Sequence, residues 1–270
     1  GQRAGAEAMN PALKRSVLPA AGLALALAGS GMSVPAQAAA STKTQLVEIQ
    51  KSLQALGLKI ERLQGRNQVE KIQRAYGYYV DKAQWPAIAD LFTKDGTYEI
   101  GGRGVFIGPK RVLEYLVTGL GPIGIGSRYG QMIDHQQFQG VVNVSADGKH
   151  AWGRWTAFVM SVVGGHAGWG DCVYENEYVK EDGVWKVKHL RGPFQMYTSY
   201  DKSWKEAAVP NTWPNKFPPP PDLPPTTVYL TYPSFYVPPY HYPNPVTGKP
   251  MPKPNPAAGG VQPMKPVAQQ

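Results

Sequence analysis

The chain has 270 residues and a formal net charge of +9, yet only 17% of its residues are charged. Its length accommodates one substantial domain plus extensions, and its basic residues alternate with acids and aromatics instead of forming runs. With no Lys/Arg block, helix-turn-helix pattern or basic–aromatic stripe, the charge describes a basic protein and not a nucleic-acid binder.

Residues 1–38 read as a secretory signal peptide. Met9 reads as the initiator, Lys14 and Arg15 form a positive n-region, and Val17–Ala28 is an apolar run of 12 residues, short of the ~20 that a membrane span needs. Ala36-Gln37-Ala38 is a small-x-small cleavage site, so cleavage is expected after Ala38, with an uncleaved anchor as the alternative. A periplasmic or secreted location follows, with no membrane attachment after cleavage. The single cysteine, Cys172, excludes an internal disulfide, so the core alone must hold the fold.

A helix is expected over 41–66. Leu46, Ile49, Leu53, Leu56, Ile60 and Leu63 recur at spacings of 3 and 4, a short heptad seam. That seam suits either packing on its own domain or a subunit contact in a dimer or trimer. From Gln68 a second helix begins, with Val69, Ile72, Ala75, Tyr76 and Tyr79 at helical spacing. The period breaks at Asp81–Trp85, and Pro86 suits the first turn of a shorter helix ending near Phe92. Lys94-Asp95-Gly96 reads as a turn, and Thr97–Ile107 as a hairpin through Gly101-Gly102-Arg103-Gly104. No Gly-Lys-Ser/Thr follows those glycines, so turn chemistry explains them better than a phosphate loop. Gly108-Pro109 starts a further helix, and 121–130 is a glycine-rich loop expected at a cavity mouth.

Four long strands are then expected: 131–144, 150–163, 170–180 and 184–196, with Asp-Gly turns at 147–148 and 182–183. Helices, a hairpin, a helix and then an antiparallel meander make an α+β layout, in which a long curved sheet wraps the helices and leaves a pocket. From Pro210 onward proline dominates and tyrosines cluster (Tyr229, Tyr232, Tyr236, Tyr240, Tyr242). Such a segment cannot form regular sheet or helix. It is expected to lie across folded surface, a neighbouring subunit near a pocket mouth, with disorder after about Val246. The divisions are thus 1–38 leader, 41–66 helix, 67–204 pocket domain, and 205–270 arm and tail.

No His-x-His or His-Glu-x-x-His spacing suggests a metal, no Gly-x-Gly-x-x-Gly follows a strand and opens a helix, and no Gly-x-Ser-x-Gly elbow appears. The expected chemistry is cofactor-free. Tyr78-Tyr79-Val80-Asp81-Lys82-Ala83-Gln84-Trp85 followed by Leu91-Phe92-Thr93-Lys94-Asp95-Gly96 resembles the opening of the nuclear transport factor 2-like superfamily, which holds the SnoaL-like polyketide cyclases and scytalone dehydratase. Gly108-Pro109, Asp134-His135 and Asp182-Gly183-Val184-Trp185-Lys186-Val187 extend the resemblance over about 67–199. It implies a cone-shaped half-barrel with a deep apolar pocket; for function it spans dehydratases, isomerases, cyclases, lyases and non-catalytic binders.

The resemblance also marks candidate residues. His135 matches a cavity histidine of the dehydratase-like members, and Asp81 matches a carboxylate that orients it. Imidazole titrates near neutrality and can move a proton without a metal. The dehydratase tyrosine before that aspartate is replaced by Val80, with Tyr79 one residue earlier. A second dehydratase histidine falls near Met160 and is absent. Tyr174 and Asn176 stand where cyclase-like members place a tyrosine and an aspartate, and an asparagine cannot act as a base. Arg154 shares a strand face with Phe158. Tyr98, Arg154, Tyr174, Asn176 and Phe158 are therefore the candidate substrate contacts, and His135, Asp81 and Tyr79 the candidate catalytic group. The expected activity is a cofactor-independent lyase on a small aromatic or polycyclic alcohol, by water loss or by carbon–carbon cleavage as in lignin-dimer deformylases that resemble this superfamily. The alternative is a non-catalytic pocket for an apolar ligand.

Overall fold

The computed structural model describes residues 36–120, 124–207, 218–232 and 236–252, with side chains from residue 41. Residues 1–35 of the leader expected over 1–38, and residues 253–270 of the tail expected after about Val246, lie outside the described residues; Ala36-Gln37-Ala38 open a helix. Up to Gln50 the described chain is helix alone, and Lys51–Gln270 is a separate compact unit that carries everything below.

The two helices expected either side of Asn67 are one: α1 runs Ala36–Asp81 without a break. Gly57 has open space around it and leaves the hydrogen-bond ladder intact, so nothing interrupts the turn-by-turn pattern. Leu53, Leu56, Ile60 and Leu63 are exposed, from 47% for Ile60 to 63% for Leu63. The seam therefore does not pack on its own domain. Burial begins at Gly65, beneath Trp185, and continues through Val69, Gln73, Tyr76 and Val80, spaced one helical turn apart. Gly77 lets the helix lie against β3, because a Cβ there would come within 2.9 Å of the His135 carbonyl oxygen. Beyond Asp81 the chain turns through Ala83, in the left-handed region at φ 50°, and α2 (Trp85–Ala89) follows with Pro86 in its first turn.

The sheet comprises β1 (Phe92–Ile100), β2 (Phe106–Ile107), β3 (Met132–Val144), β4 (His150–Val163), β5 (His166–Glu181), β6 (Val184–Gly192) and β7 (Phe194–Ser199). Its order is β2-β1-β6-β5-β4-β3, with β7 also on β5. The expected hairpin pairs Thr97 with Ile107 and Tyr98 with Phe106. Lys94-Asp95-Gly96, expected as a turn, lies within β1 as an irregularity of its pairing. The sheet is mixed instead of wholly antiparallel, since β1 runs parallel to β6. The expected last strand, 184–196, is split at Pro193, which has no N–H for a ladder; β6 pairs with the second half of β5 and β7 with the first.

Curvature has local causes. The β3–β4 register shifts between Phe138 and Val141, with Gln139 at φ 54°, a bulge that bends β3. The sheet curls without closing into a barrel and packs on the last five turns of α1, on α2 and on α3 (Gly108–Glu114), which continues as a π-helical turn, Tyr115–Gly119. Trp85, Ile88, Tyr98, Leu116 and Tyr174 are almost fully buried at this layer. Each such large apolar side chain contributes roughly 1.5–3 kcal/mol.

The proline-rich segment is irregular, as expected, but lies on its own chain. Leu223 bridges Val105, Asp222 takes Arg111, and Thr226 donates to the Glu99 carboxylate from its amide (2.7 Å) and hydroxyl (2.8 Å). Further on, Arg154 donates to the Pro238 carbonyl at 3.0 Å and lies 3.9 Å above the Tyr240 ring. The expected docking on a neighbour is thus replaced by a strap in cis.

Candidate active site

The helix, the π-helical turn and the concave face of the sheet enclose a cavity of about 490 Å³. Val80, Trp85, Leu116, Leu120, Ile133 and Val159 give it apolar walls. Into these walls project His135 from β3, Tyr174 from β5, Tyr98 from β1 and Tyr76 from α1.

These four side chains form one hydrogen-bonded line. His135 Nε2 is 3.2 Å from Tyr174 Oη, which is 3.3 Å from Tyr76 Oη, which is 3.2 Å from Tyr98 Oη. Burial raises all three phenols well above their ordinary pKa, so each is a neutral donor at physiological pH. Burial also pushes His135 down to about 4, because the cationic form would be desolvated. At neutral pH the ring is an uncharged imidazole.

Its tautomer is set by a second line behind the cavity. The Arg191 backbone N–H can only donate, so Asn176 Oδ1 accepts it (3.0 Å). Asn176 Nδ2 then donates to Gln73 Oε1 (2.9 Å), which also accepts from the Tyr178 hydroxyl (2.8 Å). Gln73 Nε2 donates to Gln137 Oε1 (2.8 Å), and Gln137 Nε2 to His135 Nδ1 (2.6 Å). Amide polarity, passed from one carboxamide to the next, leaves the imidazole proton on Nε2, directed at Tyr174.

Asp81 is not the orienting group. Its Oδ1 accepts the His135 backbone N–H at 2.5 Å, pinning β3 to the end of α1, and it does not line the cavity. Partial burial raises its carboxyl above the usual range despite that bond. Tyr79, expected as the hydroxyl donor, is half-buried outside the lining; Tyr76, about one turn earlier, lines the cavity instead. Of the expected substrate contacts, Tyr98 and Tyr174 line the cavity. Asn176 is buried in the line behind it. Arg154 and Phe158 stand on the opposite face of β4: Arg154 pairs with Glu175 (2.8 Å) and the strap, and Phe158 packs edge-on to Trp169. Alternation had put them on one face correctly, but the cavity takes the other, through Val159, Ser161 and Val163. Tyr115 and Arg103 line the cavity and were not singled out from sequence. Arg103 sits among turn glycines, and only periodicity marked Tyr76.

A curved sheet of this order, wrapped on a long helix around an apolar cavity, defines a nuclear transport factor 2-like α+β cone. Residues 61–191 match the family model described as the SnoaL-like domain. Over 139 residues the chain is 28% identical to hexachlorocyclohexane dehydrochlorinase 1 of Sphingobium indicum, covering 52% of this chain and 87% of the relative. Among solved structures, a type 2 hexachlorocyclohexane dehydrochlorinase (LinA) is 25% identical with a TM-score of 0.45, over 52% of this chain and 92% of that one. The LinA-type3 enzyme of Novosphingobium barchaimii is 21% identical with a TM-score of 0.44, over 54% and 96%.

Proposed function

We propose that the protein is a cofactor-independent lyase that removes water from, or cleaves a carbon–carbon bond in, a small aromatic or polycyclic alcohol. The observation that carries this reading is the buried line His135–Tyr174–Tyr76–Tyr98 opening into an apolar cavity. A sequence relative named for dehydrochlorination, itself an elimination, supports the reaction class.

In the resting state the line is a row of neutral donors. Negative charge that builds on a substrate oxygen at the Tyr98 end meets a preorganised hydroxyl in a water-poor site. For the proton that the substrate loses, the reactive form of His135 is the other tautomer, reached by taking a solvent proton at Nδ1 and releasing the one on Nε2. With the Gln137 amide turned so that its Oε1 accepts from Nδ1–H, Nε2 is then free to act as the base. With its low pKa the imidazolium gives that proton up readily, and Tyr174 and Tyr76 return it to Tyr98, where the departing oxygen takes it. The C–H proton and the hydroxyl leave together as water, and a double bond forms between the two carbons. No external acid or base is consumed.

The leader pattern supports export, and the exposed Leu53–Leu63 seam supports a homo-oligomer built on α1. The test is a turnover screen of purified protein on aromatic 1,2-diols and benzylic alcohols, with His135→Ala as control. Product from wild type that His135→Ala reduces at least ~100-fold supports the lyase. Saturable binding of the same compounds without product supports the non-catalytic pocket instead, a reading favoured by one observation, the absence of a carboxylate on the His135 ring.

A further inference from the structure

The β1–β2 turn is built around one side chain. Gly101, Gly102 and Gly104 all adopt positive φ (61°, 67° and 94°), the left-handed region that other residues enter at a cost. Between Gly102 and Gly104 stands Arg103, which lines the cavity. Its Nη1 donates to the Tyr115 hydroxyl at 2.7 Å, while its Nε is buried and meets no acceptor. Among the described residues it makes no ion pair. The contrast with Arg154 is direct, since that buried arginine has the Glu175 carboxylate, two strap carbonyls and an aromatic face. The titratable groups that face Arg103 among the described residues are phenols: Tyr115, whose ring lies 5.6 Å from that of Tyr98, Tyr197 and Tyr229. A guanidinium in a largely apolar cavity with an unsatisfied donor lacks an acceptor that the described residues do not provide.

We infer that Arg103 is the anion-binding end of this cavity, and that the ligand it takes is an aromatic carboxylate, seated with its carboxylate on the guanidinium and its ring against the apolar walls. A planar guanidinium matches a carboxylate's two oxygens, and Tyr115 holds one nitrogen so that the side chain is oriented before the ligand arrives. The His135 end of the phenol line then addresses a different part of the same molecule. This deepens the lyase reading by naming the substrate class, but the binding claim holds or falls separately.

The experiment is calorimetric titration of the full chain at pH 7.5 with 1-naphthoate and with the neutral 1-naphthylmethanol. Wild type is expected to bind the carboxylate at least ~10-fold more tightly, with the margin narrowing as salt is raised. Arg103→Gln is expected to abolish that margin while leaving the alcohol's affinity within ~2-fold, and Arg103→Lys to keep part of it. Equal affinities in wild type, or a margin that survives Arg103→Gln, overturns the inference. Should Arg103→Gln melt below the assay temperature, the wild-type margin and its salt dependence still decide. Naphthoate held through Arg103 with no turnover of any alcohol would end the lyase proposal alone; turnover of neutral alcohols without a carboxylate margin would end this one alone.

Discussion

The two faces of the β4–β5 ribbon carry similar residues under opposite conditions. On the concave side are His135, three tyrosines and Arg103; on the convex side are His241, Tyr240, Tyr242 and Arg154. Outside, charge meets charge: Glu175 is held between Arg154 and His241, and the strap lies over them with a second space of about 420 Å³ beneath it. Inside, both hydrogen-bond partners of the His135 ring are neutral, Arg103 has no carboxylate among the described residues, and about 490 Å³ stays open. A histidine, an arginine and tyrosines therefore do not make a site by themselves. The face with unmatched polar groups is the one proposed to take a ligand; the one with matched charges is a clasp.

The largest effect that tests this contrast is on turnover. His135→Ala is expected to reduce it at least ~100-fold with the melting temperature little changed, whereas Arg154→Ala leaves turnover near wild type. Arg154→Ala should instead cost stability, about 2–3 kcal/mol by urea unfolding, because Glu175 loses its main partner and the strap its anchor. Faster proteolysis within the strap would accompany it. Loss of activity without loss of stability at Arg154 would erase the distinction between the faces.

Acid separates the faces next. The His135 pKa is lowered by folding to about 4, so the unfolded chain binds the extra proton first. Stability from this group is complete above the unfolded value near 6.5 and is lost as pH falls toward 4. Wild type should lose about 2–3 kcal/mol more than His135→Gln between pH 7 and pH 4, measured by urea unfolding. Equal losses in the two proteins would show that the ring is not held neutral.

Gln137→Glu sharpens the same point. A carboxylate against Nδ1 favours the cation and draws the proton to Nδ1, so the His135 midpoint, followed by NMR titration, should rise from about 4 toward the ordinary histidine range. The smallest effect concerns Asp81. Asp81→Asn keeps an oxygen for the His135 amide and is expected to change turnover less than ~3-fold, while Asp81→Ala, which frees that N–H, does more harm. A large loss in Asp81→Asn would return the carboxylate to the imidazole and displace the amide line as the orienting device.

How much was legible follows from the range of each signal. Alternation along 172–178 identified a buried face on β5, and Tyr174 and Asn176 are on it, because pleating is a local property. The same alternation on β4 could not say which side holds the cavity, so Arg154 and Phe158 were assigned to the ligand while they serve the strap and Trp169. The resemblance singled out His135, and it and the candidate Tyr98 both line the cavity.

Local chemistry also accounts for the Pro86 helix start, the Thr97–Ile107 hairpin, the irregular proline-rich arm and the absence of any disulfide, since each depends on neighbours in the chain. Only the tertiary structure decided the rest. The His135 tautomer depends on Gln73 and Asn176, which lie 62 and 41 residues away along the chain, meeting through Gln137. The orientation of Arg103 depends on three glycines and on Tyr115 across the cavity. Hydrogen bonding reaches about 3 Å in space without regard to separation in sequence, so a line of donors assembled from α1, β1, β3 and β5 exists only once those elements have packed.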